Sequence, residues 1–245
     1  MQTKCRGIVL AGGFGTRLHP MTKVTNKHLL PVYDKPMIYH PIDTLIKAGI
    51  KDIRILTGCE HAGDFIELLG DGQDFGARFT YKPQQGAGGI AAAIALNKDF
   101  VGNDPFVVIL GDNIFLDDFS EEVKEYEKDH KHAVVFLKKV KNPKRFGVAT
   151  IEDGYIKNIV EKPEVPKSDL AVTGLYFYNS SFWNVINLLK PSARGELEIT
   201  DVNNWYIKNG CLKYKVLDGF WSDSGTIESL YYSSTEIRKH KLDKL

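Results

Sequence analysis

Short, continuous apolar runs at residues 7–10, 53–57, 79–82 and 106–110 alternate with stretches of helical periodicity at 37–48, 62–69 and 90–96. Such runs read as strands covered on both faces, because a strand with one wet face would alternate apolar and polar positions. Helices between strands of that kind imply right-handed crossovers and a largely parallel sheet, with ligands bound beyond the strands' carboxyl ends. Pro36 before the first helix, Gly49 after it and Gly70 after the second match the usual start and stop residues. Asp118 with Glu121 predicts a capping box opening a charged helix that runs to about residue 131.

Beyond that helix the pattern changes to strands at 133–140, 148–151, 155–160 and 172–178, with Asp153-Gly154 marking a hairpin turn. A mixed or antiparallel section is expected there. Helices return at 182–189 and 198–209, and a last one begins near Thr226. No linker, repeat or low-complexity tract interrupts the chain, which predicts one α/β domain over residues 1–245 around a mixed, mostly parallel central sheet.

A chain of 245 residues that is 43% hydrophobic and 26% charged can bury a full core. Its formal net charge of +1 gives no footprint for nucleic acid or an anionic membrane, so a small-molecule partner is expected. The apolar runs are strand-sized and residues 1–6 form a short polar start without a hydrophobic signal region, which reads as cytoplasmic. The 3 cysteines, Cys5, Cys59 and Cys211, are isolated and indicate neither a disulfide framework nor a paired-cysteine zinc site. The 7 histidines lack metal-binding spacing, His130 and His132 falling in a Lys-rich helix end.

Chemistry concentrates in Leu10-Ala11-Gly12-Gly13-Phe14-Gly15-Thr16-Arg17-Leu18, directly after the first strand. Glycines let backbone N–H groups turn inward onto an anion, and Arg17 adds fixed positive charge. A P-loop would need a closing G-K-[ST], and a dinucleotide fingerprint would need glycine where Leu18 stands. A bare strand-to-helix turn is the competing reading for the glycines alone. Arg17, followed by Lys27 in Lys27-His28-Leu29-Leu30-Pro31, favours a triphosphate site.

The combination G-G-x-G-T-R-L with N-K-H-L-L-P resembles the signature of the sugar-phosphate nucleotidyltransferases, and residues 33–39 resemble their glucose-1-phosphate thymidylyltransferase branch. The resemblance continues through Gly111-Asp112-Asn113, Glu161-Lys162-Pro163, the strand at 172–178 and residues 191–201. It implies a Rossmann-like three-layer fold, with a nucleotide-binding half at about 1–118 and a sugar-phosphate-binding half at about 119–245. The implied reaction is in-line attack of glucose-1-phosphate on the α-phosphorus of dTTP, giving dTDP-glucose and pyrophosphate. By resemblance, Arg17, Lys27 and Lys162 are catalytic cations. Leu10, Gly12, Gly13, Gly15, Thr16, Gln84, Gly89 and Asp112 bind nucleotide, while Gly147, Glu161, Lys162, Val172, Thr173, Tyr176 and Arg194 bind the sugar phosphate. Asp112 and Asp223 hold Mg²⁺, an oxygen-seeking cation that takes one or two carboxylates plus substrate phosphates. A homo-oligomer is implied too.

Each position has a plainer reading: Asp223 could cap the last helix, Asp117 and Asp118 are read as caps, Lys138 as a surface ion-pair residue, and Val172 and Tyr176 as sheet packing. The base pocket is expected around Leu10, Gly12, Gln84 and the turn 86–91, which includes Ala87. The Gln84 amide offers a donor and an acceptor to a thymine or uracil edge. Thymine would be preferred through one methyl contact worth at most about 1–3 kcal/mol. His28 and Ala92 stand where many members of the resembled branch have glutamine. Competing functions are a uridylyltransferase with the same chemistry, a non-catalytic nucleotide-sugar sensor, which would lack the cations and Asp112, and a nicotinamide oxidoreductase, which lacks its glycine here.

Overall fold

A computed structural model describes residues 4–86 and 88–243, so Ala87 of the expected base-pocket turn lies outside the described residues. After β1 (Arg6–Ala11) come two short bridging strands, β2 (Pro31–Val32) and β3 (Lys35–Pro36), then α1 (Tyr39–Lys47) and β4 (Asp52–Gly58). The chain continues through α2 (Ala62–Leu69), β5 (Arg78–Gln84), α3 (Ile90–Ala95), α4 (Lys98–Val101), β6 (Phe106–Leu110) and β7 (Ile114–Phe115). The second stretch comprises α5 (Ser120–Lys128), β8 (Ala133–Lys139), β9 (Gly147–Glu152), β10 (Tyr155–Glu161), β11 (Leu170–Tyr178) and α6 (Phe182–Ile186). It closes with α7 (Ile199–Lys208), β12 (Leu212–Val216), β13 (Trp221–Ser222) and α8 (Ile227–Leu242).

A sheet of 9 strands organises these elements. β6, β1, β4 and β5 lie side by side and parallel, with Ile8 of β1 between Arg54 and Val108. β11 enters antiparallel to β6 and also pairs with β8 and β9, while β10 and β12 extend β9 and β8 outward. Following these pairings across the sheet, only β10 and β11 run against β1, so the sheet is mixed and mostly parallel. Side chains alternate between its faces with the period of two that an extended backbone imposes. Val9, Ile53, Ile55, Val107 and Ile109 pack with Ile42 and Leu45 of α1, Phe65 of α2 and Val123 of α5. Ile8, Leu10, Leu56, Phe106 and Val108 pack on the opposite face with Ile94, Phe182, Val202 and Tyr206 from α3, α6 and α7. This is the expected three-layer α/β arrangement. A third cluster lays Leu230 and Ile237 of α8 over Leu18, Leu30, Val32, Met37 and Ile114, so the last helix backs the glycine loop.

The sequence-based elements match these spans closely, and both Asp153 (φ 52) and Gly154 (φ 77) take the left-handed conformation of a two-residue hairpin turn. Four details differ. Pro36 belongs to β3, and α1 starts at Tyr39. The Asp118–Glu121 capping box does not form: Asp118 Oδ1 accepts from the Ser120 N–H at 2.9 Å, and Phe119, buried in the core, fixes the start of α5 instead. That helix ends at Lys128, leaving His130 and His132 beyond it. Finally, α4, β12 and the two-residue strands β2, β3 and β7 had no counterpart in the sequence reading.

Phe106 is fully buried, with its ring centroid 5.2 Å from Trp183 and 5.8 Å from Phe182. Phe106→Ala is expected to destabilise the fold by about 3–5 kcal/mol, read from urea unfolding midpoints, because the rigid aromatic neighbours cannot collapse into the cavity. A loss below about 1 kcal/mol would contradict this account of the core.

Candidate active site

The glycine loop is shaped by what it must pass. Gly15 has φ +67, and a Cβ there would sit 2.8 Å from Lys27 Cβ; a Cβ on Gly13 would lie 3.2 Å from Lys27 Cε. Glycine at these positions therefore lets the loop fold back over the Lys27 side chain. The turn Thr16–Leu18 then buries Leu18 completely, which directs Arg17 toward the opening beyond β6. Lys27 rides on a second turn, Lys27–Leu29, capped by Asn26. Asn26 Oδ1 accepts from the His28 N–H at 2.9 Å and pairs with His28 Nδ1 at 2.7 Å. Burial and then the Lys27 charge push the His28 imidazole down to about 3, so it is neutral at ordinary pH.

Asp112 emerges at the carboxyl end of β6, buried, where a central parallel strand presents a ligand-facing residue. Its Oδ2 is ion-paired with Lys27 Nζ, and its Oδ1 accepts from Asn113 Nδ2 at 2.9 Å. Burial, the largest single influence, pushes its carboxyl up, but Lys27 together with His28 and the Asn113 hydrogen bond holds it below the usual range. Asp223 follows β13, which pairs with β7 so that Trp221 lies beside Phe115 and Ser222 beside Ile114. Burial and the nearby Asp112 raise the Asp223 carboxyl, against the pull of Arg145, Arg17 and Lys27. Capping does not account for Asp223, because Thr226 caps α8 in a capping box with Ser229. A Cβ on Gly225 would stand 3.2 Å from Arg17 Nη2 and 3.4 Å from Asp112 Oδ2, so both groups approach the same glycine.

The opposite wall comes from β9, β10, β11 and the segment before α7. Register sets Gly147 against Glu161, and a Cβ on Gly147 would meet Glu161 Oε2 at 3.4 Å. Thr200 Oγ1 donates to Glu161 Oε2 at 2.7 Å, and Lys162 Nζ lies 3.4 Å from Glu161 Oε1. Lys162 itself has φ +44 and Ser224 has φ +32, left-handed values that cost a non-glycine residue energy and mark constrained points on both sides of the cavity. Arg194 forms a forked pair with Glu198, through Nη2 to Oε2 at 2.7 Å and Nε to Oε1 at 3.1 Å.

Thr16, Arg17, Asp112, Gly147, Glu161, Lys162, Val172, Thr173, Tyr176, Arg194 and Asp223 all line one cavity of about 650 Å³. Gly12, Gly13 and Gln84 line an adjoining one of about 340 Å³, where Gln84 Oε1 lies 3.1 Å from the place a Gly12 Cβ would occupy. The Lys27–Asp112 pair sits beside the glycine loop near the two openings. Leu10, Gly15 and Gly89 line neither cavity: Leu10 is core, Gly15 abuts Lys27, and Gly89 (φ +92) would bring a Cβ within 2.6 Å of the Leu197 carbonyl. Asp117 accepts from the Gly219 N–H at 3.1 Å instead of capping a helix. Among the described residues Lys138 has no ion-pair partner; its Nζ donates to the carbonyls of Leu217, Asp218 and Gly219, pinning the turn before β13.

Several residues of the cavity were not singled out from sequence, Thr200, Arg145 and Asn113 among them. Thr200 orients Glu161, and Arg145 Nη2 donates to Asp223 Oδ2 at 2.9 Å. Asn113 Oδ1 accepts from both the Gly174 N–H at 2.9 Å and Trp221 Nε1 at 2.7 Å. Among the described residues no group of three or more His, Cys, Asp or Glu side chains forms a metal cage. The Asp112–Asp223 pair is nonetheless a suitable donor set for one hard divalent cation that also binds phosphate oxygens. The cavity sets the cations Arg17, Arg145, Lys162 and Arg194 among the carboxylates Asp112, Glu161, Glu196, Glu198 and Asp223.

A family profile described as nucleotidyl transferase matches residues 6–240. A glucose-1-phosphate thymidylyltransferase of Neisseria meningitidis is 47% identical over 95% of this chain and 82% of its own length. One from Mycolicibacterium smegmatis is 45% identical over 97% of this chain and 83% of its own. Among solved structures, a Bacillus anthracis chain assigned as a glucose-1-phosphate thymidylyltransferase and crystallised with sucrose superposes with TM-score 0.92 at 55% identity, covering 96% of this chain and 95% of that one. A UDP-glucose pyrophosphorylase complexed with UDP-glucose superposes with TM-score 0.84 at 27% identity, covering 97% and 99%.

Neutral, buried His28 makes a pH prediction. The unfolded chain takes up a proton near the ordinary value of 6.5 and the folded chain only near about 3, so its contribution is present above 6.5 and is lost as pH falls through that window. His28→Gln should flatten the fall in unfolding free energy between these limits, as followed by urea titrations at a series of pH values. An unaltered slope would remove His28 as its source.

Proposed function

The chain belongs to the nucleotidyl transferase family, and we propose that it condenses dTTP with α-D-glucose-1-phosphate to give dTDP-glucose and pyrophosphate. The observation that carries this reading is the convergence on one cavity of Arg17, Asp112 and Asp223 from the nucleotide side with Gly147, Glu161, Lys162 and Arg194 from the other. Relatives carrying that activity in their names, at 45–47% identity over nearly the whole chain, support the choice of substrates.

The nucleotide enters over the glycine loop with its base toward Gln84, whose amide matches the adjacent acceptor and donor of a pyrimidine edge. Arg17 and Lys27 offset the triphosphate charge. Glu161, steadied by Thr200 at 2.7 Å, accepts from hexose hydroxyls that approach beside Gly147. Lys162 and Arg194 hold the phosphate monoester so that its oxygen faces the α-phosphorus opposite the pyrophosphate leaving group. No covalent enzyme intermediate is required, and most of the rate comes from alignment and from charge placed in advance. Asp112 and Asp223 would hold Mg²⁺, which when bound neutralises phosphate charge between the two substrates. The same base contacts suit uracil, and the superposition with a UDP-glucose-bound pyrophosphorylase gives a uridylyltransferase reading its one specific support.

Pyrophosphate release measured with Mg²⁺ and glucose-1-phosphate, in parallel with dTTP, UTP, CTP, GTP and ATP, separates these readings. Turnover with dTTP above UTP is expected; selectivity for UTP would favour the uridylyltransferase, and silence with every nucleotide would refute both. Lys162→Ala and Asp112→Asn should each lower kcat about a hundredfold or more, the scale for losing one preorganised charge at a transition state. An unchanged kcat in either variant removes that residue from the chemistry.

A further inference from the structure

Arg145 stands outside the roles assigned above, yet it faces the same cavity as Lys162 and Arg194. It ends the short turn Pro143–Arg145, directly before β9, and donates from Nη2 to Asp223 Oδ2 at 2.9 Å. Its backbone is fixed: the Phe146 N–H donates to the Pro143 carbonyl at 3.0 Å, and the Lys162 N–H donates to the Phe146 carbonyl at 3.0 Å. Its side chain is held by contacts that solvent reaches. It remains 37% exposed against 18% for its partner, and its guanidinium carbon lies 5.5 Å from the Phe146 ring centre, a face along which a planar cation can slide.

The partner carboxylate is one the cavity would otherwise leave short of compensation. Lys27 is engaged by Asp112, whereas Asp223, partly buried, is ion-paired with Arg145. A divalent cation brought in by the nucleotide would supply at Asp223 the compensation that Arg145 supplies in its absence, and would repel a guanidinium held on the same carboxylate. A released guanidinium would be a planar fork suited to bidentate contact with phosphate.

The geometry points to Arg145 as a transferable counter-charge: it neutralises Asp223 while no divalent cation is there, and moves onto the phosphate of the sugar 1-phosphate once the cation takes that carboxylate. The identity of the anion rests on the function proposed above; the competition for Asp223 does not. The device couples the two substrates, because the metal that arrives with the nucleotide completes the site for the sugar phosphate.

Two variants and two probes test it. Mn²⁺ binding to the nucleotide-free protein, followed by electron paramagnetic resonance of the free ion, should be several-fold tighter in Arg145→Gln, since the competing cation is gone, and close to the parent in Arg145→Lys. Glucose-1-phosphate binding, followed by calorimetry with Mn²⁺ and the non-reacting α,β-methylene analogue of dTTP present, should be weakened at least tenfold in Arg145→Gln. Asp223→Asn frees Arg145 without metal, and should bind glucose-1-phosphate more tightly than the parent when no divalent cation is added. Mn²⁺ affinity that is equal or weaker in Arg145→Gln, with the fold confirmed by circular dichroism, would overturn the competition. Unchanged glucose-1-phosphate affinity in the same variant would overturn the transfer. Failure of the parent to bind glucose-1-phosphate under any condition would refute the substrate reading and the transfer together, and the Mn²⁺ comparison would still decide the competition.

Discussion

The side-chain amide of Asn113 is the joint on which the two halves of the cavity depend. It is almost fully buried, and its nitrogen donates to Asp112 while its oxygen accepts from Gly174 of β11 and from the Trp221 indole of β13. The ladder between β11 and β8 slips between Val172 and Tyr176, so the Gly174 amide lies within the irregular stretch and is taken up by the side chain. Only glycine fits there, since a Cβ would lie 2.6 Å from Asn113 atoms. Each of these hydrogen bonds contributes only about 0.5–1.5 kcal/mol, but a buried donor stripped of its partner costs about 1–3 kcal/mol. One amide thus couples the Asp112 loop, the bulge beside Val172 and Tyr176, and the approach to Asp223, and holds them at fixed spacing.

Electrostatics fills the frame so created. Four of the site's five cations are paired within the protein: Lys27 with Asp112, Arg145 with Asp223, Arg194 with Glu198 at 2.7 Å and Lys162 with Glu161 at 3.4 Å. A cluster of bare cations at this degree of burial would oppose folding by self-repulsion and desolvation. Internal pairing removes that penalty and keeps each positive group close to where a phosphate must sit. Binding then becomes an exchange of partners, in which substrate phosphates and metal take over from the protein's own carboxylates and guanidinium. The pairs most open to solvent, Lys162 with Glu161, Arg194 with its glutamates and Arg145 with Asp223, are the ones released most cheaply.

Much of this was legible in the chain. The βαβ rhythm of the first half, the antiparallel turn at Asp153-Gly154 and the grouping of Arg17, Asp112, Glu161, Lys162 and Asp223 all follow from local pattern and motif. What escaped is long-range. Asn113 reaches partners 61 and 108 residues away, and Arg145 one 78 residues away, and no local periodicity encodes such contacts. β12 escaped because Leu212-Lys213-Tyr214-Lys215-Val216 is an alternating segment only five residues long, fixed by parallel pairing with β8 and not by its own propensity. The Asp118 box failed because burial of Phe119 set the helix start, so packing overrode a local capping preference worth about 1 kcal/mol.

The glycines divide along a similar line. Gly12 and Gly13 line a cavity, although a Cβ on Gly13 would also crowd Lys27, whereas Gly15 and Gly89 are fixed by what lies behind them, the Lys27 stem and the Leu197 carbonyl. A sequence motif cannot distinguish these uses, because absence of a Cβ serves close approach to a ligand and close approach to the protein itself equally well. The two uses are linked in this fold. By allowing the loop to rest on the Lys27 stem, Gly15 holds the lysine toward Asp112, and that ion pair compensates a carboxylate buried at the end of the central strand. The phosphate-facing loop and the buried acid are therefore one construction, in which the backbone geometry of the first fixes the electrostatics of the second.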